Sequence, residues 1–246
     1  MNNFKMIVSY DGTRYYGWEH QPNTDMTIQG KLETVLTQML ETTSGKTPDR
    51  PVTVIGAGRT DAGVHARAMT ANVLLDTDLS AEEIQRYMNR YLPDDISVNE
   101  VKLAAERFHS RFKATGKTYR YTLWYSEDGK KPVFDRKYVW MLKEVPDTEK
   151  MREAAAHLAG EHDYKSFCGN SLRFVWWIPS GSRRQETISG FIIMGPAFCR
   201  IWCEFLPEHF WKLVMDVLRR RTWTGFWKQG IAKKLARPLL QQACVC

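Results

Sequence analysis

No run of apolar residues in this 246-residue chain approaches the length of a membrane span, so a bilayer is not expected among its partners. The opening stretch, MNNFKMIVSYDG, has no signal-peptide layout, and a cytoplasmic protein is the expectation. Cysteine is scarce, with 5 in all, and neither Cys199-x3-Cys203 nor Cys244-x-Cys246 meets a second pair at zinc spacing. No metal site is expected from them. Gly56, Gly58 and Gly63 do not fit the GxGxxG spacing, and no Gly-Lys-Ser/Thr follows them, which excludes both the dinucleotide fingerprint and the P-loop.

Charge of one sign is missing from most of the chain as well. The total is +7, with a pI near 9.1, which invites a nucleic-acid partner. Residues 1–171, however, hold 23 Lys and Arg against 24 Asp and Glu, whereas residues 172–246 hold 12 against 4. The whole basic excess is therefore in the last third, together with six of the nine Trp and four of the five Cys. A break this sharp divides the chain before any motif is considered.

Periodicity orders the first part. Lys5–Tyr10 alternates weakly and reads as a strand ended by Asp11-Gly12. Thr27 opens a helix with Ile28, Leu32, Val35, Leu36 and Met39 on one stripe, a core face. Val52–Ala57 and Met69–Asp76 are apolar, strand-like runs on either side of a Gly-rich loop. Ser80-Ala-Glu-Glu83 is a capping box for a helix through Ile84, Tyr87, Met88 and Tyr91, stopped before Pro93, and Ile96–Ala104 reads as a strand. The order strand, helix, strand, strand, helix, strand is a split βαβ, or ferredoxin-like, unit and closes a first domain over residues 1–105. Lys117–Tyr125 and Tyr138–Leu142 read as strands, and Asp147 caps a helix carrying Met151, Ala155 and Leu158, so a second α+β domain begins at 106 and runs to 171.

The loop between the second and third strands, within IGAGRTDAGVHARA over Ile55–Ala68, is the functional candidate. Its small residues allow another molecule to approach the backbone closely, and it stands at a strand end on a rigid support. Asp61 in its middle is a candidate nucleophile or base. Read from residues alone, Gly-Arg-Thr-Asp-Ala-Gly is equally an ordinary turn whose Asp caps nearby N–H groups. The string GRTDAGVHA resembles the signature of the TruA family of tRNA pseudouridine synthases. The stretch YDGTRYYGWEHQPNTDMTIQ is similar to that family's N-terminal pattern, with Glu19 where a Gln usually follows the Trp. GEHDYKSFCG resembles a third family string, so the likeness runs from about Val8 to Asn170.

The segment RFHSRFKATGKTYRYTLWY interleaves Arg107, Arg111, Lys113 and Lys117 with Phe and Tyr. Cations neutralise phosphates and rings stack on unpaired bases, a mixture that suits RNA, although alternate aromatics on a strand also suit a core. The family carries a similar Phe-His-x-Arg-Phe followed by Tyr-x-Tyr, whose first Tyr lies against the target base; by that match Tyr119 contacts the substrate.

The resemblance implies isomerisation of uridine to pseudouridine at positions 38–40 in the anticodon arm of tRNA, in a homodimer, with Asp61 as catalytic nucleophile and no metal or redox cofactor. Arg59 becomes a candidate for holding the flanking backbone or the loop. Because Asp61 must be ionised to attack, its burial calls for an opposing cation. The implied fold is α+β, with two ferredoxin-like halves forming a mostly antiparallel sheet and helices on one side.

Beyond Ser171 the family continues through a helix containing Gly-Phe-Leu-x-Asn-Met-Val-Arg, whose Arg pairs with the catalytic Asp. No such string is present. Ile201-Trp202-Cys203-Glu204 can, however, be written ATA TGG TGC GAA, and a shifted frame then reads ATG GTG CGA, Met-Val-Arg. The Val is forced, because Trp has a single codon and both Cys codons begin TG. The same shift turns Ile192–Arg200 and Arg219–Cys246 into strings expected of a family member. The tail, 172–246, thus reads as an out-of-frame segment entered near residues 171–174, leaving the C-terminal half incomplete and the enzyme impaired, at the limit an RNA-binding remnant. A genuine divergent extension and a basic, Trp-rich RNA-binding arm are the other readings.

Overall fold

The computed structural model describes residues 1–145, 149, 175–184, 187–194 and 244–245. The helix expected from Asp147 and the string GEHDYKSFCG lie outside the described residues. Two compact units divide the chain, Met1–Ala114 with the last two residues, and Thr115–Cys244. Among the described residues no helix is long and apolar enough to cross a membrane.

The first unit follows the expected order. Strand β1 (Asn2–Tyr10) leads to helix α1 (Ile28–Ser44), then to β2 (Val54–Gly56), β3 (Ala66–Leu75), α2 (Ala81–Tyr91) and β4 (Ile96–Leu103). The sheet order is β2-β3-β1-β4 and every neighbouring pair is antiparallel, so β3 is inserted between β1 and β2, the two strands that α1 connects. Alternation along β1 turns Phe4, Met6, Val8 and Tyr10 to the buried face, where both helices lie; α1 packs on β2, α2 on β4, and the helices touch each other. The stripe predicted on α1 is the core stripe: Ile28, Leu32, Leu36 and Met39 are fully buried. Each such side chain contributes roughly 1.5–3 kcal/mol of burial.

Both helix starts are set by local chemistry. Thr27 caps α1 by accepting the Gly30 N–H at 3.2 Å, and Gly45 ends the helix in the left-handed region at φ 68°. Ser80 and Glu83 form the reciprocal box predicted for α2.

The first unit extends past the expected boundary at 105, and two buried amides account for it. Asn3 lies on the face of β1 opposite the helices. Its Nδ2 donates to the carbonyls of Ala105 at 3.0 Å and Phe108 at 2.9 Å, while Asn72 Oδ1 accepts the Ser110 N–H at 2.8 Å. Asn72 Nδ2 in turn donates to Asn3 Oδ1 at 3.2 Å. These bonds fasten residues 105–110 to the sheet, so Arg107, Arg111 and Lys113 ride on the first unit.

In the second unit β5 (Lys117–Trp124) pairs in parallel with β6 (Trp140–Met141), which is shorter than the strand expected over Tyr138–Leu142. On its other side β5 pairs antiparallel with β8 (Thr187–Met194), and β8 with β7 (Val175–Arg184). Strands in the tail were not expected. Their sequences, VWWIPSGSRR and TISGFIIM, contain the β-branched and aromatic residues that favour extended backbone in any context.

Near the C-terminal end of β1, Tyr15 donates its O–H to Asp95 Oδ1 at 2.6 Å, and Arg14 reaches the same carboxylate through Nε and Nη2. Burial, then the bond to Asp95, pushes the Tyr15 phenol up to about 12. Burial alone would raise the Asp95 carboxyl, but the bonds from Arg14 and Tyr15 override it and hold the group below its usual range. A raised phenol stabilises the fold fully below its unfolded value near 10, and the contribution is lost as pH rises through about 12. The urea-unfolding advantage of the native chain over Tyr15→Phe is therefore expected to be constant from pH 7 to about 9 and to shrink steadily above about 10. An advantage unchanged up to pH 12 would show that Asp95 does not hold the phenol.

Candidate active site

The Asp61 loop is built by two stretches distant in sequence, residues 10–18 after β1 and residues 56–65 between β2 and β3. The Trp18 N–H donates to the Thr60 carbonyl at 3.0 Å, and the Gly63 N–H to the Tyr15 carbonyl at 3.1 Å. Tyr10 and Thr60 join their hydroxyls at 2.9 Å in a buried contact. His65 Nδ1 accepts the Gly12 N–H at 3.1 Å and lies 2.9 Å from Asp11 Oδ1. Nδ1 can accept the amide as a lone pair or donate to the carboxylate as an N–H, and either contact joins the two stretches.

Glycine is required at more than one position here, Gly56 and Gly17 among them. The indole of Trp18 lies against Gly56 so closely that a Cβ there would stand 2.6 Å from the ring. Gly17 has φ 103°, and a Cβ on it would meet the Thr60 carbonyl oxygen at 2.5 Å. Trp18 is 3% exposed and packs beside Tyr10 with ring centroids 6.0 Å apart. The loop is thus seated on an aromatic floor and cannot collapse onto it.

On this support Asp61 is half-buried, between buried Thr60 and the turn at Ala62-Gly63, and its own carbonyl accepts the Val64 N–H at 3.2 Å. Arg59, two residues earlier, is exposed, and its Nη2 pairs with Glu19 Oε1 at 2.5 Å. The loop therefore presents a carboxylate and a guanidinium two residues apart on one turn. Arg107, Arg111 and Lys113 are exposed on the segment after β4, where the His109 and Phe112 rings stack at 4.2 Å and Phe112 is 78% exposed. Lys117 and Tyr119 belong to β5 of the second unit, Tyr119 in register with Ile192 of β8.

Sequence reasoning singled out Asp61 and Arg59 but missed the residues that hold them: Tyr10, Asp11, Trp18, Glu19, Thr60 and His65. All six lie inside the strings YDGTRYYGWEHQ and GRTDAGVHA, whose contact with each other is the signal that was available. Among the described residues no group of three or more His, Cys, Asp or Glu is placed to hold a metal ion.

A model of the tRNA pseudouridine synthase family matches residues 6–113, which include both strings. Over 167 residues the chain is 46% identical to tRNA pseudouridine synthase A of Bacillus sp. (strain KSM-64), 42% identical to tRNA pseudouridine synthase A 2 of Bacillus anthracis, and 41% identical to tRNA pseudouridine synthase A 1 of Clostridium tetani (strain Massachusetts / E88). Each match takes in 68% of this chain and 64% of the relative, so the chain spans less than two thirds of the length of these relatives. The clamp that seats Asp61, and the sequence strings that form it, lie within residues 6–113, the part of the chain that is similar to the tRNA pseudouridine synthase family.

Proposed function

We propose that the chain isomerises uridine to pseudouridine at positions 38–40 in the anticodon arm of tRNA, with Asp61 as nucleophile. The observation that carries this reading is the half-buried carboxylate on a clamped, glycine-lined turn in a chain 46% identical to a tRNA pseudouridine synthase A. The target base must leave its stack, at a cost of a few kcal/mol, to meet a carboxylate fixed in the protein. The reaction then breaks the bond from C1′ to N1, turns the uracil, and forms the bond from C1′ to C5; C5 gives up its proton and N1 gains one. Electrons balance within the substrate, so the residues have only to hold, attack and move a proton. Tyr119 lies against the base in this reading, Arg59 holds the flanking backbone, and Arg107, Arg111, Lys113 and Lys117 neutralise phosphates. The working assembly is a cytoplasmic homodimer of two ferredoxin-like halves per chain.

Asp61→Asn is expected to abolish pseudouridine formation, read by tritium release or mass on anticodon-arm RNA, while RNA affinity changes by no more than a few fold. Substantial turnover by this variant would remove Asp61 as nucleophile. Stacking needs the ring rather than the hydroxyl, so Tyr119→Leu should lose about 1–3 kcal/mol of binding or turnover and Tyr119→Phe much less. Equal losses would assign the role to the hydroxyl.

The same reading includes the tail. We infer that residues from about 172 onward are translated out of frame, supported by the hidden Met-Val-Arg and by a match that covers 167 residues and leaves about a third of both chain and relative outside it. A chain restored to the other frame after Ser171 regains the Met-Val-Arg string, and is expected to be markedly more stable and more active in the same assay. Limited proteolysis with hydrogen exchange compares the two. A tail from 172 as protected as residues 1–105, in a chain of full activity, would refute the frame slip.

A further inference from the structure

The Arg59–Glu19 ion pair is the feature of the clamped loop that the catalytic reading leaves unused. Its two members are brought together by the backbone. The Trp18 N–H bond to the Thr60 carbonyl fixes the two stretches in register, and the next residue on one stretch, Glu19, then falls beside the preceding residue on the other, Arg59. Trp18 is held from a second side by the Gln29 N–H, which donates to its carbonyl at 2.9 Å, and the His20 N–H is taken by Gln29 Oε1 at 2.9 Å. Glu19 therefore stands on a fixed backbone with a free outer edge, its side chain 48% exposed against 59% for Arg59.

An ion pair this exposed adds little to stability and exchanges readily. A carboxylate on a guanidinium also occupies the face that a phosphate would take, because both offer two oxygens to the same fork of N–H groups. Resting on the pseudouridine synthase reading, we propose that Glu19 is a built-in stand-in for an RNA phosphate: it holds Arg59 extended and charge-balanced beside Asp61 in the free protein, and is displaced by the substrate backbone on binding. Glu19 is a positioning residue in this scheme. It keeps Arg59 from folding onto the Asp61 carboxylate, and it lowers affinity for any polyanion that cannot deliver a phosphate at that one point.

A binding cycle on the full chain tests this, with Glu19→Gln, Arg59→Gln and the double variant measured against a synthetic anticodon-arm RNA. Glu19→Gln is expected to tighten binding about two- to fivefold, the worth of an exposed ion pair, and to do so less when Arg59→Gln is also present. The gain should fall as salt rises from about 0.1 M toward 1 M, since the pair it removes is screened. Equal gains with and without Arg59 would reduce Glu19 to general repulsion of RNA, and weaker binding by Glu19→Gln would make it a strut; either overturns the proposal while RNA binding itself survives. No binding by any variant or by the native chain would overturn both this proposal and the reading on which it rests. Thermal unfolding of the four proteins, expected to agree within a few degrees, separates these outcomes from loss of fold.

Discussion

The hydrogen bond from the Trp18 N–H to the Thr60 carbonyl is the constraint on which the candidate site depends. It joins two loops separated by a helix and a strand, and both partners are buried, so its loss would leave an unpaired donor and acceptor away from water. The indole attached to the same residue covers Gly56 and leaves no space for a side chain there. One residue therefore sets the height of the Asp61 loop with its ring and its register with its backbone. Tyr10 and His65 add two side-chain joints from neighbouring strand ends, and the loop inherits the rigidity of a four-stranded sheet. Any reacting group on this loop would gain from such seating, because misplacement by about 1 Å costs about a hundredfold in rate.

Local features were legible in the sequence wherever the governing chemistry is local. Thr27 and Ser80 cap helices because a side-chain oxygen reaches an N–H three residues away, and that spacing is written in the chain. The core stripe of α1 follows from a 3.6-residue period in the same way. Residues whose role is set by distant partners were not legible. Asn3 and Asn72 look like unremarkable polar residues in apolar strands, yet they bind the turn after β4 and move the limit of the first unit from 105 to 114. Trp18 and Glu19 were visible as parts of a string, but nothing in that string says that they face Gly56 and Arg59. Periodicity identifies which face is buried and is silent about what covers it.

The second unit illustrates the reverse. Strands β7 and β8 occupy residues read from the sequence as out of frame, yet β8 pairs with β5 and β7 with β8, both antiparallel. Backbone pairing asks only for extended conformation and a free edge, and runs such as TISGFIIM supply the first in any reading frame. Pairing is accordingly weak evidence about selection.

The distribution of charge in the first unit separates two candidate binding regions. A cleft of about 470 Å³ is lined by Asp11, Asp94 and Asp95, with Arg67 as its one basic residue. Concavity alone would make it the default site. Three carboxylates repel a phosphate backbone, however, and Asp95 is already committed to Arg14 and Tyr15. The Asp61 loop, by contrast, carries Arg59, paired with Glu19, and the same unit carries exposed Arg107, Arg111 and Lys113. For a polyanionic substrate the sign of the field outweighs the shape of the surface, since attraction acts over about 8–10 Å before any contact forms. Net charge near zero over residues 1–171 therefore conceals a local asymmetry: three carboxylates line the cleft, while Arg107, Arg111 and Lys113 are exposed together on one segment.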